Sequence, residues 1–230
     1  YVGLSLNIPI VAGGKRYNQI RQAKNQYQQV QLQTENTERQ LKIAIRQSLT
    51  TMETNMKSYY SAQDAVAMAA KGYSIAEKAY QVGRSTLIEL NDAQLALTQA
   101  QLAASQAIYN FVVNGMKYDK ELAANVTSGY VPNLDAVLSK MSGICFDYAA
   151  LMTGMLRSQG VPAKLVIGYA GDVYHAWISV YSESTGWVDG VIYFDGVKWQ
   201  RMDPTFAANG DSGIMDYIGN GTNYSGKYYY

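Results

Sequence analysis

A chain of 230 residues, 48% hydrophobic and 16% charged, is long enough for one large domain or two small ones and foldable rather than disordered. A net charge of +1 supplies no basic surface for nucleic acid, and a single cysteine excludes both an intrachain disulfide and a multi-cysteine zinc site. With only one histidine as well, no metal and no other cofactor is expected.

The average hides a division. Residues 1–114 carry 11 Lys/Arg against 7 Asp/Glu and hold no cysteine, histidine or tryptophan; residues 115–230 carry 8 against 11 and hold all three tryptophans, the cysteine and the histidine. Two architectures joined end to end are expected, with the boundary between residues 113 and 114. No stretch of 18 consecutive apolar residues occurs, so no spanning helix is expected.

Val2 to Ile10 alternates apolar Val2, Leu4, Leu6, Ile8 and Ile10 with small or polar residues, the period of a strand with one covered face. Gly13-Gly14 breaks that pattern. From Lys15 to Tyr80 there is no proline and one glycine, which predicts one helix of about 100 Å at 1.5 Å per residue. Its apolar or small positions step by three and four: Ile20, Ala23, Tyr27, Val30, Thr34, Thr37, Leu41, Ile45, Leu49, Met52, Met56, Tyr59, Gln63, Val66, Ala70 and Tyr73. This is a coiled-coil seam with a slip in the repeat near Ile45. Val82-Gly83-Arg84-Ser85-Thr86 interrupts the helix, and Leu87 to Val113 resumes it with Leu87, Leu90, Leu95, Leu97, Leu102 and Ile108. A helical hairpin with its tip at Gly83 follows. Its returning arm covers less than half of the outgoing one, so the outer part of the first helix lacks an intrachain partner.

These residues, a strand VGLSLNIPI, a turn VAGGKR, a long Gln/Ala-rich helix and AYQVGRSTLIELNDAQLALTQAQ, resemble the last portion of a TolC-like outer-membrane efflux protein. The resemblance implies a trimeric barrel and periplasmic tunnel, hence a homotrimer, with Val82, Gly83 and Arg84 at a tip that meets an adaptor protein. It places Glu89 and Asp92 near the periplasmic aperture. Only part of one protomer's repertoire of strands and helices is represented.

The second half is organised around Gly143-Ile144-Cys145-Phe146-Asp147-Tyr148. A short helix over Asp135–Lys140 ends at Ser142-Gly143, and a second runs from Ile144 to Gln159, with Gly160 as its stop and Pro162 just beyond. Cys145 sits in the first turn of that helix, where unpaired N–H groups and the macrodipole favour thiolate over thiol. Ala163 to Tyr169 reads as a strand. Tyr174 to Tyr181 reads as another, with His175, Trp177 and Ser179 on one face and Ala176, Ile178 and Val180 on the other. Val191–Phe194 and Val197–Met202 flank Asp195-Gly196, the signature of a two-residue hairpin turn. Asp203-Pro204 follows at a strand end. The Gly-, Asn- and Tyr-rich tail from Ala207 is expected to lie as a loop over the sheet.

A cysteine at a helix start, a histidine on a strand and an aspartate at a strand end point to nucleophilic acyl chemistry. The segments GICFDYAALMTGMLRSQGVPAKLVIGYAG, YHAWISVY and MDPTFAANG are similar to the transglutaminase-like superfamily of papain-type cysteine enzymes. The resemblance implies Cys145 as nucleophile, His175 as general base and Asp203 as the group that orients the imidazole, acting on a protein or peptide substrate as a peptidase or a transglutaminase; the superfamily also includes non-catalytic binding modules, the alternative reading beside an efflux-channel component. Trp177 and Tyr174, flanking the histidine, are candidate substrate contacts. The expected fold is α+β: a helical hairpin with one N-terminal strand over residues 1–113, then a papain-like helix-plus-antiparallel-sheet domain over residues 114–230. The two resemblances meet at Gln106–Val113, where one helix serves both, the mark of a chimeric chain from the cell envelope or secreted.

Overall fold

The structure, a computed structural model, describes residues 2–5, 14–182, 186–189, 193–194, 199–200, 205, 208 and 223–230. The chain divides into two compact units, Tyr1–Thr50 and Thr51–Tyr230, and the first helix, α1 (Lys15–Gln81), passes from one to the other.

In the first unit, residues 2–5 are exposed and form no strand, and residues 6–10, the remainder of the expected strand, lie outside the described residues. A lone strand leaves its backbone N–H and C=O groups without a ladder to satisfy them. On α1, the predicted seam residues Ile20, Tyr27, Val30, Leu41, Ile45 and Leu49 are all more than half exposed. The outer part of the helix therefore has no covering partner among the described residues.

The second unit contains residues 51–81 of α1, α2 (Leu87–Gly115) and the mixed domain that follows. The turn between the helices is closed by two local devices. Gly83, at φ 71°, takes the left-handed position after α1, and the bonds Gly83 N–H to Tyr80 O (3.0 Å) and Arg84 N–H to Ala79 O (2.8 Å) satisfy the last carbonyls. Thr86 then caps α2: its hydroxyl accepts the Glu89 N–H at 3.2 Å while the Glu89 carboxylate accepts the Thr86 N–H at 2.8 Å.

Half-buried or buried positions recur as Met52, Asn55, Tyr59, Ala62, Val66, Ala69, Tyr73 and Ala76 on α1, and as Leu90, Ala93, Leu97, Ala100, Ala104, Ala107 and Phe111 on α2. This is a heptad stripe on each arm. It differs from the predicted seam at every second position: Asn55, Ala62 and Ala69 turn inward, while Met56, Gln63 and Ala70 are exposed. A helix face is chosen by angle and not by side-chain size, so Asn55, Ala62 and Ala69 take the inward angle while the larger Met56 and Leu95 stay exposed. The arms meet at their base, where Asn55 donates to the Asn110 carbonyl at 3.3 Å and the Tyr59 and Phe111 rings lie 6.1 Å apart.

After α2 come β1 (Lys117–Tyr118), α3 (Lys120–Asn125), α4 (Leu134–Lys140), β2 (Ser142–Gly143) and α5 (Cys145–Ser158). Asp119 and Asn133 cap α3 and α4 with side-chain bonds to Leu122 N–H (2.8 Å) and Ala136 N–H (3.0 Å). Met141, at φ 47°, ends α4, and the next two residues pair in parallel with β1. Ser142 and Gly143 are thus a strand contact as well as a helix stop. Gly160, at φ 73°, closes α5 as its sequence position predicts.

The main sheet is antiparallel with order β5-β4-β3-β8, formed by β3 (Ala163–Ala170), β4 (Val173–Ser182), β5 (Gly186–Asp189) and β8 (Tyr224–Tyr229). β5 was not expected, and the C-terminal tail is not a loop over its last residues: β8 adds an edge strand to β3. A one-residue irregularity between Ile167 and Gly168, with glycines facing each other at 168 and 226, lets the two backbones approach. β6 (Tyr193–Phe194) pairs with β7 (Trp199–Gln200). Phe194 opposes Trp199, and the turn expected at Asp195-Gly196 lies outside the described residues.

One core holds this domain together. Ile108 and Val112 of α2, Tyr148, Leu151, Met152 and Leu156 of α5, and Ala176, Ile178 and Val180 of β4 form a single buried cluster. The face of β4 bearing His175, Trp177 and Ser179 is buried too, so the strand is covered on both sides.

Candidate active site

Cys145 is the first residue of α5 and is partly exposed with a free thiol. Its approach is set by the Asp147 carboxylate, which is fully buried. Asp147 Oδ2 accepts the backbone N–H of Ile144 at 2.8 Å, and Oδ1 accepts the Tyr130 hydroxyl at 2.7 Å. The Ile144 N–H is the kind of unpaired donor that precedes every helix, and a carboxylate three residues on satisfies it. Gly143 leaves room for this carboxylate, because a Cβ at that position would meet Asp147 Cβ at 2.5 Å.

The segment before the cysteine is also held from the side. Lys117 N–H donates to Met141 O and Asp119 N–H to Gly143 O, each at 2.9 Å, which aligns Tyr118 with Gly143. Burial first, and then the electrostatic influence of neighbouring Cys145, hold the Tyr118 phenol above its ordinary range. Tyr130 is pushed up to about 12 by burial first, then by its bond to Asp147 and the charges of Asp147 and Asp119.

His175 is the third residue of β4, lies opposite Gly168 and is 4% exposed. Its ring stacks at 6.3 Å on Trp177, which in turn meets Tyr224 of β8 edge-on at 5.1 Å. The edge strand missed by the sequence reading therefore backs the histidine through one intervening aromatic ring.

Cys145 and His175 line the same cavity of about 340 Å³, with Tyr118, Phe146, Tyr174 and the segment 126–130 among its other walls. The structure thus brings two of the three proposed catalytic residues to one space. Asp203 lies outside the described residues. Tyr174 is in the cavity wall, 57% exposed, with its ring 5.5 Å from that of Tyr169. Trp177 is 2% exposed and stands behind the histidine rather than in the wall, so its contact is with His175 and Tyr224. Val82 and Arg84 are exposed at the hairpin turn beside Gly83. Glu89 is engaged in its local cap, where bonds from the Ser85 hydroxyl and from Thr86 hold its carboxyl below the usual range.

Three residues of this site escaped sequence reasoning. Asp147 was legible in principle, since an acidic residue at the third helical position is a capping signal. Tyr118 and Tyr130 carried no signal, because each is placed by pairing or packing with a segment remote in sequence. Among the described residues no group of three or more His, Cys, Asp or Glu side chains is placed to hold a metal ion.

The family model for the transglutaminase-like superfamily matches residues 88–204, and that for outer membrane efflux proteins matches residues 1–114. The overlap, residues 88–114, is α2 almost end to end. A protein-glutamine gamma-glutamyltransferase of Pseudomonas aeruginosa is 31% identical over 68 residues, covering 24% of this chain. The chain spans 10% of that relative's length. Among solved structures, a TGase is 20% identical with a TM-score of 0.33, covering 63% of this chain and 35% of its own. The periplasmic domain of TgpA from Pseudomonas aeruginosa is 18% identical with a TM-score of 0.34, covering 64% of this chain and 44% of its own.

Proposed function

We propose, for a chain that belongs to the transglutaminase-like superfamily, cysteine acyl transfer on the amide carbonyls of proteins or peptides, carried by Cys145, His175 and Asp203. The observation that supports this reading is the shared cavity, which has a thiol and an imidazole in its wall. The Cys145 thiolate adds to the carbonyl carbon, and the backbone N–H of Cys145, at the helix start, is a donor for the oxyanion. His175 gives its proton to the leaving amine as the C–N bond breaks, leaving a thioester. Water or a second amine then attacks the thioester, His175 takes the proton, and the thiolate departs. Asp203, assigned from its motif, holds the imidazole tautomer.

The domain division is proposed as 1–113 and 114–230, with α2 as a shared element. The efflux-protein match over residues 1–114 supports a place in the cell envelope, outside the cytoplasm, and an exposed tip at Val82, Gly83 and Arg84 facing an adaptor, in a homotrimer. No helix among the described residues is long and apolar enough to cross a membrane.

Casein cleavage and incorporation of a fluorescent amine into casein test the enzyme reading. One of the two should be measurable and should fall at least about a thousandfold in both Cys145→Ala and His175→Ala. Turnover that survives either substitution refutes it.

A further inference from the structure

One part of the cavity wall is the connection between α3 and α4, of which residues 126–130 line the cavity. This segment has little to hold it by burial: Val126 is 41% exposed, and residues 127–129 are exposed as well. Its internal bond is long, Tyr130 N–H to Thr127 O at 3.3 Å. At its end, however, the Tyr130 hydroxyl reaches the fully buried Asp147 carboxylate at 2.7 Å, and the Tyr130 ring meets Phe146 edge-on at 6.4 Å. The same carboxylate holds the backbone N–H one residue before Cys145. One buried carboxyl group thus joins this exposed wall of the cavity to the entry of the nucleophile.

We propose that Tyr130 and Asp147 are positioning residues, and that their hydrogen bond latches residues 126–130 in place as the wall against which the acyl-donor chain binds. The inference rests on the acyl-transfer reading. It assigns a division of labour: the Ile144 arm of Asp147 serves the nucleophile, and the Tyr130 arm serves binding. The geometry suits a latch, because a 2.7 Å bond to a fully buried acceptor is directional and shielded from competing water. The phenol, held protonated far above neutral pH, remains a donor throughout the working range. The chemistry of the wall gives the substrate class. Apart from Cys145 and His175, its side chains are apolar, as Val126 is, or carry neutral hydroxyls, as Thr127, Ser128 and Tyr118 do, so an uncharged donor segment fits it and a carboxylate or ammonium does not.

The test is alkylation of Cys145 in the full chain by two probes, iodoacetamide and an iodoacetyl-capped Ala-Gly-Ala peptide, with amide exchange read at residues 127–130. Tyr130→Phe keeps the ring contact with Phe146 and loses only the hydroxyl. It should raise the half-saturating concentration of the peptide reagent five- to tenfold, leave its maximal rate and the iodoacetamide rate within twofold, and speed amide exchange at 127–130. Asp147→Asn keeps an oxygen for Ile144 but can meet the Tyr130 oxygen only with its NH2, which reverses the latch bond, so it should shift the same readouts in the direction of Tyr130→Phe and by less. Unchanged exchange in Tyr130→Phe, or a loss confined to the maximal rate, overturns the latch. Neither readout requires turnover, so failure of the casein assays would remove the enzyme reading while these measurements still decided the latch.

Discussion

A side chain at position 143 would collide with Asp147: a Cβ on Gly143 lies 2.5 Å from Asp147 Cβ and 2.6 Å from its Oδ2. The glycine is what lets the carboxylate fold back to Ile144, and its own backbone is fixed by the Asp119 N–H. Gly143→Ala should therefore cost about 1–3 kcal/mol, as overpacking of a tight site does. It should also slow alkylation of Cys145, two residues away. Urea unfolding and timed iodoacetamide labelling measure the two effects.

The Tyr130 phenol gives a pH dependence with a definite sign. Its folded value of about 12 lies above the ~10 of an unfolded tyrosine, so between those values the native state holds a proton that the unfolded state has released. The stabilisation is complete below about pH 10 and is lost as pH rises through the folded value. Relative to Tyr130→Phe, the wild-type urea midpoint should therefore decline from pH 9 to pH 12. Comparing the pair cancels the other tyrosines, Tyr118 included.

Gly168 links the edge strand to the histidine. Its backbone pairs with His175 on one side and Gly226 on the other, and a Cβ there would overlap the Ser225 carbonyl oxygen. Gly168→Ala should push β8 away, withdrawing Tyr224 from Trp177 and loosening the ring behind His175. Faster amide exchange over residues 224–229 and a red shift of tryptophan emission are the expected readouts, with turnover reduced about tenfold.

Two residues of α2 should separate its roles. Ile108 is fully buried in the cluster with Tyr148 and Leu151, so Ile108→Ala should cost about 2–5 kcal/mol. Leu95 is 56% exposed, so Leu95→Ala should change stability by less than about 0.5 kcal/mol. Thermal or urea unfolding of the two variants tests whether the C-terminal half of α2 belongs structurally to the mixed domain.

Both residues were apolar members of one predicted stripe, and nothing in their spacing ranked them. The residues lining the hairpin were likewise only half legible. Spacing places Met52, Tyr59, Val66 and Tyr73 on the covered face, but it puts the intervening position one residue late, at the apolar Met56 instead of Asn55. A heptad step of three or four is ambiguous by one residue, and only the partner's position resolves it. β8 was unreadable for a different reason: Tyr-Ser-Gly-Lys-Tyr-Tyr has no clean alternation, and its strand exists because β3 offers an open edge.

By itself, the sequence determined the elements that close on local chemistry. Gly83, Thr86 with Glu89, Asp119, Asn133 and Gly160 each satisfy backbone groups within a few residues, so the helix starts and stops follow from residue type alone. Cys145 at its helix start and His175 on its strand are placed by the same local rules. Only the tertiary structure decided that the two line one cavity, that Trp177 stands behind the histidine, and that Tyr118 and Tyr130 flank the nucleophile. Those relations depend on contacts between segments far apart in the chain, where burial and approach distance select the partner and no short-range periodicity records the choice.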